Sequence, residues 1–231
     1  MNSLFENNKF RGLSLLFVIL ILILSVVAYL ELQSCEYILR IICIPTLMIL
    51  YYLNSVSKSK IFLFSLLMAT VSNILFIPND IFYLKYGLIA FLIYRIITLF
   101  IVLKSSPKLA FFSVAIGSIF FLFPLLYFII LIEESMGESF FVGLINIILV
   151  SILGGMALTN YLLESNLKHI SLLSSTLLYT FLVLLFVIQK YFLHISIFNP
   201  LRVILLMAAH YIFCMYVLLV ENEKSISNVK L

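Results

Sequence analysis

The stretch Lys60–Lys104, KIFLFSLLMATVSNILFIPNDIFYLKYGLIAFLIYRIITLFIVLK, decides the fold. It contains two long apolar runs joined by Pro78-Asn79-Asp80, and a lysine stands at each outer end. An apolar run of about 18 residues is long enough to cross a bilayer as a helix. Proline fixes φ, and asparagine and aspartate favour turns, so these three residues predict a tight turn. The stretch therefore predicts a membrane hairpin with both ends on one side.

The composition of the whole chain excludes an ordinary soluble protein. Hydrophobic residues make up 65% and charged residues 10% of the 231 residues, against roughly 45–50% and 25% in soluble domains. The net charge of +4 is small, which favours a role in membrane topology over nucleic-acid binding. Cys35, Cys43 and Cys214 lack metal-ligand spacing, and we interpret them as small apolar fillers. We predict no metal, no cofactor and no nucleic-acid partner.

Outside the hairpin the same pattern recurs, and it predicts an all-α transmembrane bundle of about eight spans. Unpaired backbone groups are costly in lipid, so the runs must be helices. The first run is too long for the core of a cleaved signal peptide and is interpreted as a retained span. We expect a single membrane domain over residues 1–231, with a cytoplasmic segment at 1–11 and a cytoplasmic tail at 221–231. The predicted spans are 12–30, 37–54, 60–77, 81–103, 109–132, 140–163, 170–192 and 200–220.

The distribution of basic residues predicts the orientation. With the N-terminus in the cytoplasm, nine of the fourteen basic residues fall on cytoplasmic segments, as expected from the excess of lysine and arginine on that side of membranes. The opposite loops carry most of the acidic residues, and eight spans place both termini in the cytoplasm. A bacterial inner membrane fits the short loops and the basic N-terminus. The nine residues are Lys9, Arg11, Lys58, Lys60, Lys104, Lys108, Lys168, Lys224 and Lys230.

Three polar residues inside the spans are candidate site residues, because polar side chains at bilayer depth are costly and usually face the bundle interior. Arg95 is either a buried cation that binds a phosphate or carboxylate, or an arginine that bonds helix-end carbonyls or reaches the interface through its long stem. Asn73 contributes either site polarity or a bond between helices. His210 is either a general base or a hydrogen-bonded core residue. Arg202 and Lys190 are interpreted as interface anchors.

No aspartate or glutamate lies deep in any predicted span, and no hydrolase or nucleotide-binding motif occurs. A proton-coupled transporter usually carries an intramembrane acid, and neither homologous halves nor a pair of broken helices is evident. A small-solute transporter is therefore the least supported hypothesis. In the sixth span, Asn146, Ser151, Thr159 and Asn160 accompany Gly154-Gly155, a pattern typical of close helix packing.

Several stretches resemble the YhhN-like membrane proteins, the lysoplasmalogenase family. In the third span, SLLMATVSNILF is similar to the family pattern SLLGDxLL, with Ser72-Asn73 in the Gly-Asp position. Gly87, Ala90 and Phe91 match a Gly-x-x-Ala-Phe-x-x-x-His run in which Arg95 takes the histidine position. Ile44-Pro45-Thr46-Leu47 falls where the family has Lys-Pro-Leu-Thr.

In the seventh span, LLYTFLVLLFVIQKY is similar to LLFxxSDxxLAxNKF, with Leu182-Val183 in the Ser-Asp position. His210 and Cys214 fall near the family's tyrosine and glutamine. The resemblance covers residues 37–220 and implies eight spans and hydrolysis of the vinyl-ether bond of lysoplasmalogens. Asn73 and Val183 replace both family aspartates, and vinyl-ether hydration needs acid–base groups.

Two hypotheses follow. The chain is either a membrane hydrolase of ether-linked lysophospholipids whose site contains Asn73, Arg95 and His210, or a non-catalytic relative that binds a lipid or another membrane protein. In the second case Arg95 would meet a phosphate as a planar donor fork. We expect a diverged member with little or no hydrolysis and a membrane lipid, a lysophospholipid or ether lipid, as partner.

Overall fold

The computed structural model describes residues 8–78, 80–106, 110–193 and 195–229, and these ranges fold as helices without strands. Asn79 of the predicted turn and Pro107, Lys108 and Leu109 of the following loop lie outside the described residues. The helices are α1 (Asn8–Tyr29), α2 (Gln33–Asn54), α3 (Lys60–Leu75), α4 (Ile81–Ser105), α5 (Phe111–Leu131), α6 (Glu133–Met136), α7 (Phe140–Leu163), α8 (Leu167–Tyr191) and α9 (Phe198–Val229). A 3-10 turn, Gly137–Ser139, joins α6 to α7.

The predicted all-α membrane bundle is confirmed. Within the described ranges, seven helices are long and apolar enough to cross a membrane, and the eighth apolar helix, α3, has only 16 residues. The surface agrees with this assignment, because large apolar side chains point outward along the bundle; Phe123, for example, is 76% exposed. A soluble protein would not leave such a belt in water. The chain is a multi-pass integral membrane protein.

The helix boundaries agree with the predicted spans at α7 and lie close to them elsewhere, except at the C-terminal end of α9. α2 begins at Gln33 rather than at 37, so Glu36 belongs to its first turn instead of a loop. α9 continues through the polar residues after Val220 as far as Val229. The acidic stretch after α5 contains the short helix α6 and the 3-10 turn rather than an irregular loop.

Short connections make the eight long helices, α6 apart, antiparallel neighbours in succession, so the bundle has two distinct ends. We call the end where α1 begins and α9 ends the terminal end. The opposite end, where α2 and α4 begin, is called the vestibule end after a cavity described below. Pairs packed side by side include α5 with α7, α8 with α9, α3 with α4, and α1 with both α2 and α9. This packing brings residues that are far apart in sequence together around one central space in the bundle.

One helix pair packs backbone to backbone. A Cβ atom placed on Gly117 of α5 would lie 3.0 Å from the Cα of Gly155 in α7. Small residues permit this close approach between membrane helices. The predicted packing role of Gly155 agrees with this contact, which holds α5 against α7 along one side of the central space.

Candidate functional site

A central cavity of about 130 Å³ lies among the helices, and polar side chains concentrate on part of its wall. Its volume leaves room for a group much larger than one water molecule. On α5, α7 and α8 the lining residues are apolar except for Asn146 and Tyr191. The principal polar lining residues are Arg40, Asn73, Arg95, Asn146, Arg202 and His210. The cavity is therefore amphipathic, with charge contributed by α2, α4 and α9.

A second cavity of about 320 Å³, which we call the vestibule, lies at the vestibule end of the bundle. Its wall is mainly polar and includes Glu31, Glu36 and Gln189. Arg40 and Arg202 line both spaces, as do Phe76 and Phe186. The vestibule thus adjoins the central cavity across two arginines and two phenylalanine rings.

Arg95 lies near the middle of α4 and is only 1% exposed. Its helix buries Phe91, Tyr94 and Thr98 on the same face, because residues three and four apart share a face of a helix. The guanidinium carbon lies 4.0 Å from the ring centroid of Tyr179 and 4.6 Å from that of Phe91, within the range of cation–π attraction.

None of the three guanidinium nitrogens of Arg95 has a hydrogen-bond partner within the described part of the chain. In the structure the side chain therefore bonds no helix-end carbonyl, and its burial shows that it does not reach the membrane interface. Rings attract a guanidinium but cannot accept its five N–H bonds in the way that an oxyanion does. A buried charge in this condition is costly unless something pairs with it.

His210 of α9 lies beside Arg95, and it is also 1% exposed. Its ring stacks on Tyr94 with centroids 5.1 Å apart and meets Tyr179 edge to face at 5.4 Å. The hydroxyls of these two tyrosines are 2.5 Å apart and share a hydrogen bond. Nδ1 of His210 lies 2.7 Å from the carbonyl oxygen of Leu206, whereas Nε2 has no partner among the described residues.

Arg40 closes the polar wall toward the vestibule. It donates from Nε and Nη2 to one carboxylate oxygen of Glu36, at 3.0 and 2.5 Å, and from Nη1 to Oδ1 of Asn73 at 2.7 Å. The last bond joins α2 to α3, so Asn73 makes the bond between helices that was one of its two predicted roles. Nδ2 of Asn73 has no partner in the described ranges, and the residue also lines the cavity.

Arg202 lies four residues into α9, at the border between cavity and vestibule. One of its nitrogens donates to Oδ1 of Asn199 at 3.0 Å, and Gln189 donates to the same oxygen at 2.6 Å. Nε of Arg202 is buried without a partner in the described structure. Arg202 thus lines both cavities, and its role as an interface anchor stays a prediction.

The electrostatic balance of the central cavity is positive. Three arginines line it, and no aspartate or glutamate of the described residues does. Glu36 lines the neighbouring vestibule and is paired with Arg40, which leaves Arg95 and Arg202 without an ion pair in the described ranges. No group of three metal-ligating side chains occurs in that part of the chain. The arrangement is suited to binding an anion.

The structure brings together the residues singled out from the sequence. Asn73, Arg95, His210 and Val183 all line the central cavity although they belong to four different helices. Sequence reasoning missed Arg40. The sequence did contain a sign of it, because Glu36 and Arg40 are four residues apart on one helix, a spacing typical of an ion pair. An arginine paired in this way need not extend to the membrane interface to find a partner.

No protein-family model, curated protein or solved structure matches this chain. The candidate site therefore rests on its own geometry.

Proposed function

We propose that this protein binds an anionic lipid of the lysophospholipid or ether-lipid class in its central cavity and does not hydrolyse it. The observation that carries the proposal is Arg95, fully buried at mid-bundle and without a hydrogen-bond acceptor among the described residues. A guanidinium presents a rigid donor fork that matches phosphate and carboxylate oxygens. An anion bound there would compensate a charge that the described residues leave unpaired.

The walls of the cavity support an amphiphile over an inorganic ion. Apolar side chains of α5, α7 and α8 face the arginines across the space, among them Ile147, Val150 and Val187. Ligand sites typically combine such apolar walls with a few convergent polar groups. An anionic head would meet the arginines while an apolar portion meets this wall.

The scarcity of acid–base groups in the described lining supports binding without hydrolysis, because besides the arginines its titratable side chains are only those of His210 and Tyr191. Hydration of a vinyl ether needs a proton donor to carbon and a group that activates water. At the two positions where the resemblance places aspartates, Asn73 cannot titrate and is bonded to Arg40, and Val183 carries no polar atom. His210 and Tyr191 would have to perform both steps.

A lysoplasmalogen hydrolase remains the second candidate. One observation favours it: the four positions that the resemblance singles out, on α3, α4, α8 and α9, line one cavity. The same observation supports membership of the lysoplasmalogenase family as a proposal. Purified protein in detergent should give no turnover of lysoplasmalogen, and robust turnover would make the hydrolase the correct function. The double substitution Asn73→Asp with Val183→Asp tests whether restoring both aspartates gives the protein lysoplasmalogen hydrolysis.

We also propose that both termini lie in the cytoplasm and that the host membrane is a bacterial inner membrane. Support comes from the basic residues at the terminal end of the bundle, including Lys9, Arg11 and Lys60, and from the acidic residues Glu133, Glu134 and Glu138 at the vestibule end. Reporter fusions after residue 231 and in the α6 region should give opposite sidedness. A periplasmic signal from the C-terminal fusion would reverse the orientation.

Direct binding tests the main proposal. Delipidated protein in detergent should bind radiolabelled lysophosphatidylglycerol, which is anionic, at least tenfold more tightly than zwitterionic lysophosphatidylcholine. Arg95→Gln should abolish this preference, whereas Arg11→Gln, which removes a charge outside the cavity, should leave it unchanged. Equal binding of both lipids by the wild type, or an unchanged preference in Arg95→Gln, would refute the proposal.

A further inference from the structure

Two unpartnered groups of opposite hydrogen-bonding character face the same cavity. Arg95 can only donate, through Nε, Nη1 and Nη2, and none of these has a partner in the described chain. His210 offers Nε2, which is likewise buried and unpartnered there. Both side chains contact the ring of Tyr179, with Cζ of Arg95 at 4.0 Å and the His210 ring at 5.4 Å from its centroid.

The hydrogen bond at Nδ1 decides the role of Nε2. Nδ1 lies 2.7 Å from the carbonyl oxygen of Leu206, and a carbonyl oxygen can only accept, so Nδ1 carries the hydrogen. In the neutral ring Nε2 is then an acceptor. A ligand that satisfies both residues must therefore accept hydrogen bonds from Arg95 and donate one to His210.

A cationic head group has no counterpart in this region. Glu36 of the vestibule wall is engaged by Arg40 at 2.5 Å, and Glu31, the other described carboxylate of that wall, does not line the central cavity. Rings can bind a quaternary amine, but Phe91 and Tyr179 already face the guanidinium of Arg95. The charge balance therefore disfavours zwitterionic phosphodiesters.

We infer that the ligand head is a singly protonated phosphomonoester, seated between Arg95 and His210. This inference rests on the proposed function. Two bare phosphate oxygens accept the guanidinium fork of Arg95, and the third oxygen donates its hydrogen to Nε2 of His210. One negative charge then faces one arginine, so the buried pair is neutral. A phosphodiester of the same charge has no P–OH group to donate to Nε2.

A matched pair of lipids tests the inference without any mutation. Lysophosphatidic acid and its phosphate methyl ester share one chain and one glycerol hydroxyl and differ in the P–OH group. Each is used at pH 7 to displace radiolabelled lysophosphatidylglycerol from delipidated protein. We expect lysophosphatidic acid to compete at least tenfold more strongly than the methyl ester. Equal competition would overturn the inference while leaving anionic lipid binding in place.

Variants test whether His210 is the residue that confers the preference for lysophosphatidic acid over its methyl ester. His210→Phe keeps a ring against Tyr94 and removes Nε2, so the two lipids should then compete within twofold of each other. His169→Phe is the matched control, because Nδ1 of His169 makes the same kind of bond to a carbonyl, that of Glu164, at 2.7 Å, and the residue does not line the cavity. A preference that survives in His210→Phe contradicts the inference. If His210→Phe does not fold, His210→Gln replaces it, and the wild-type comparison still decides. Failure of lysophosphatidylglycerol itself to bind would refute the proposed function, and this inference with it.

Discussion

Two polar clusters of the described structure differ in how completely their groups are paired. At the terminal end, Glu221 of α9 accepts hydrogen bonds from the hydroxyls of Tyr51, Ser55 and Ser57, at 2.5, 2.6 and 2.5 Å. The hydroxyl of Tyr51 also accepts from the backbone of Ser59. We call these five residues the Glu221 cluster.

The central cavity presents the opposite condition. Arg95, Arg202, His210 and Asn73 each retain at least one buried nitrogen without a partner in the described structure. Satisfied buried networks rigidify a fold, whereas unsatisfied ones carry a cost that needs an explanation. The comparison teaches that burial and polarity alone do not mark a site. The Glu221 cluster joins the α2–α3 connection to α9, whereas the central cavity retains donors that the proposed anionic ligand would satisfy.

The largest expected effect comes from Arg95→Met. Removing the donor fork should weaken binding of lysophosphatidylglycerol about 100-fold, or about 2.7 kcal/mol. The delipidated variant should nevertheless be more stable, since replacing buried charge by apolar groups is often stabilising by about 1–4 kcal/mol. Thermal unfolding and lipid binding measure the two effects. A less stable Arg95→Met protein would place Arg95 in the same structural category as the Glu221 cluster.

Glu221→Ala should have the reverse signature. Tyr51 and Ser55, which are both buried, lose their shared acceptor, at a cost of about 1–3 kcal/mol. Affinity for lysophosphatidylglycerol should not change, because Glu221 does not line the cavity. A lower thermal midpoint with unchanged affinity would support a purely structural role for the Glu221 cluster. Lost affinity in a folded Glu221→Ala protein would contradict the distinction between the two clusters.

Arg202→Gln should produce a smaller effect on binding. Arg202 lies at the border of the vestibule and shares Asn199 with Gln189, so we expect about a tenfold loss of affinity, or about 1.4 kcal/mol. Thermal stability should change little. Equilibrium binding of the radiolabelled lipid gives the number, and an effect equal to that of Arg95→Met would show that the anion lies nearer the vestibule.

Ser57→Ala should have the smallest effect. The bond from Ser57 to Glu221 is exposed, so water replaces it at a cost of about 0.5 kcal/mol. Unfolding should shift only slightly, with lipid affinity unaltered. A shift as large as that of Glu221→Ala would mean that the α2–α3 connection depends on this one bond.

The fold could be predicted because its signal is local. Apolar runs of spanning length and the basic residues that flank them are read directly from the chain, and α7 lies where the pattern placed it. α2 was predicted four residues too short because Glu36 was assigned to a loop. In the structure Arg40 neutralises that carboxylate one turn further along, so the helix accommodates it.

Which residues belong to the site could be predicted in part from the sequence. Which of their polar groups are hydrogen-bonded could not. Arg95, Asn73 and His210 are conspicuous as polar residues in apolar runs. Whether each is satisfied depends on contacts between helices far apart in sequence, such as Arg40 with Asn73 or His210 with Tyr94. Arg202 illustrates the limit, since its nearness to a helix end suggested an interface anchor, and only the tertiary structure shows that it also lines the cavity.

The shortness of α3 bears on the surrounding bilayer. Its 16 residues span about 24 Å, against a hydrocarbon thickness of about 30 Å. Lys60 anchors one end at the polar interface, so the deficit falls at the other end, beside Asn73. Local thinning of the bilayer is one way to accommodate a helix shorter than the membrane, and here it would bring the lipid head-group layer toward Arg40 and the vestibule. Host membranes of different thickness should therefore change how readily lipids exchange with this protein, with no residue of the site altered.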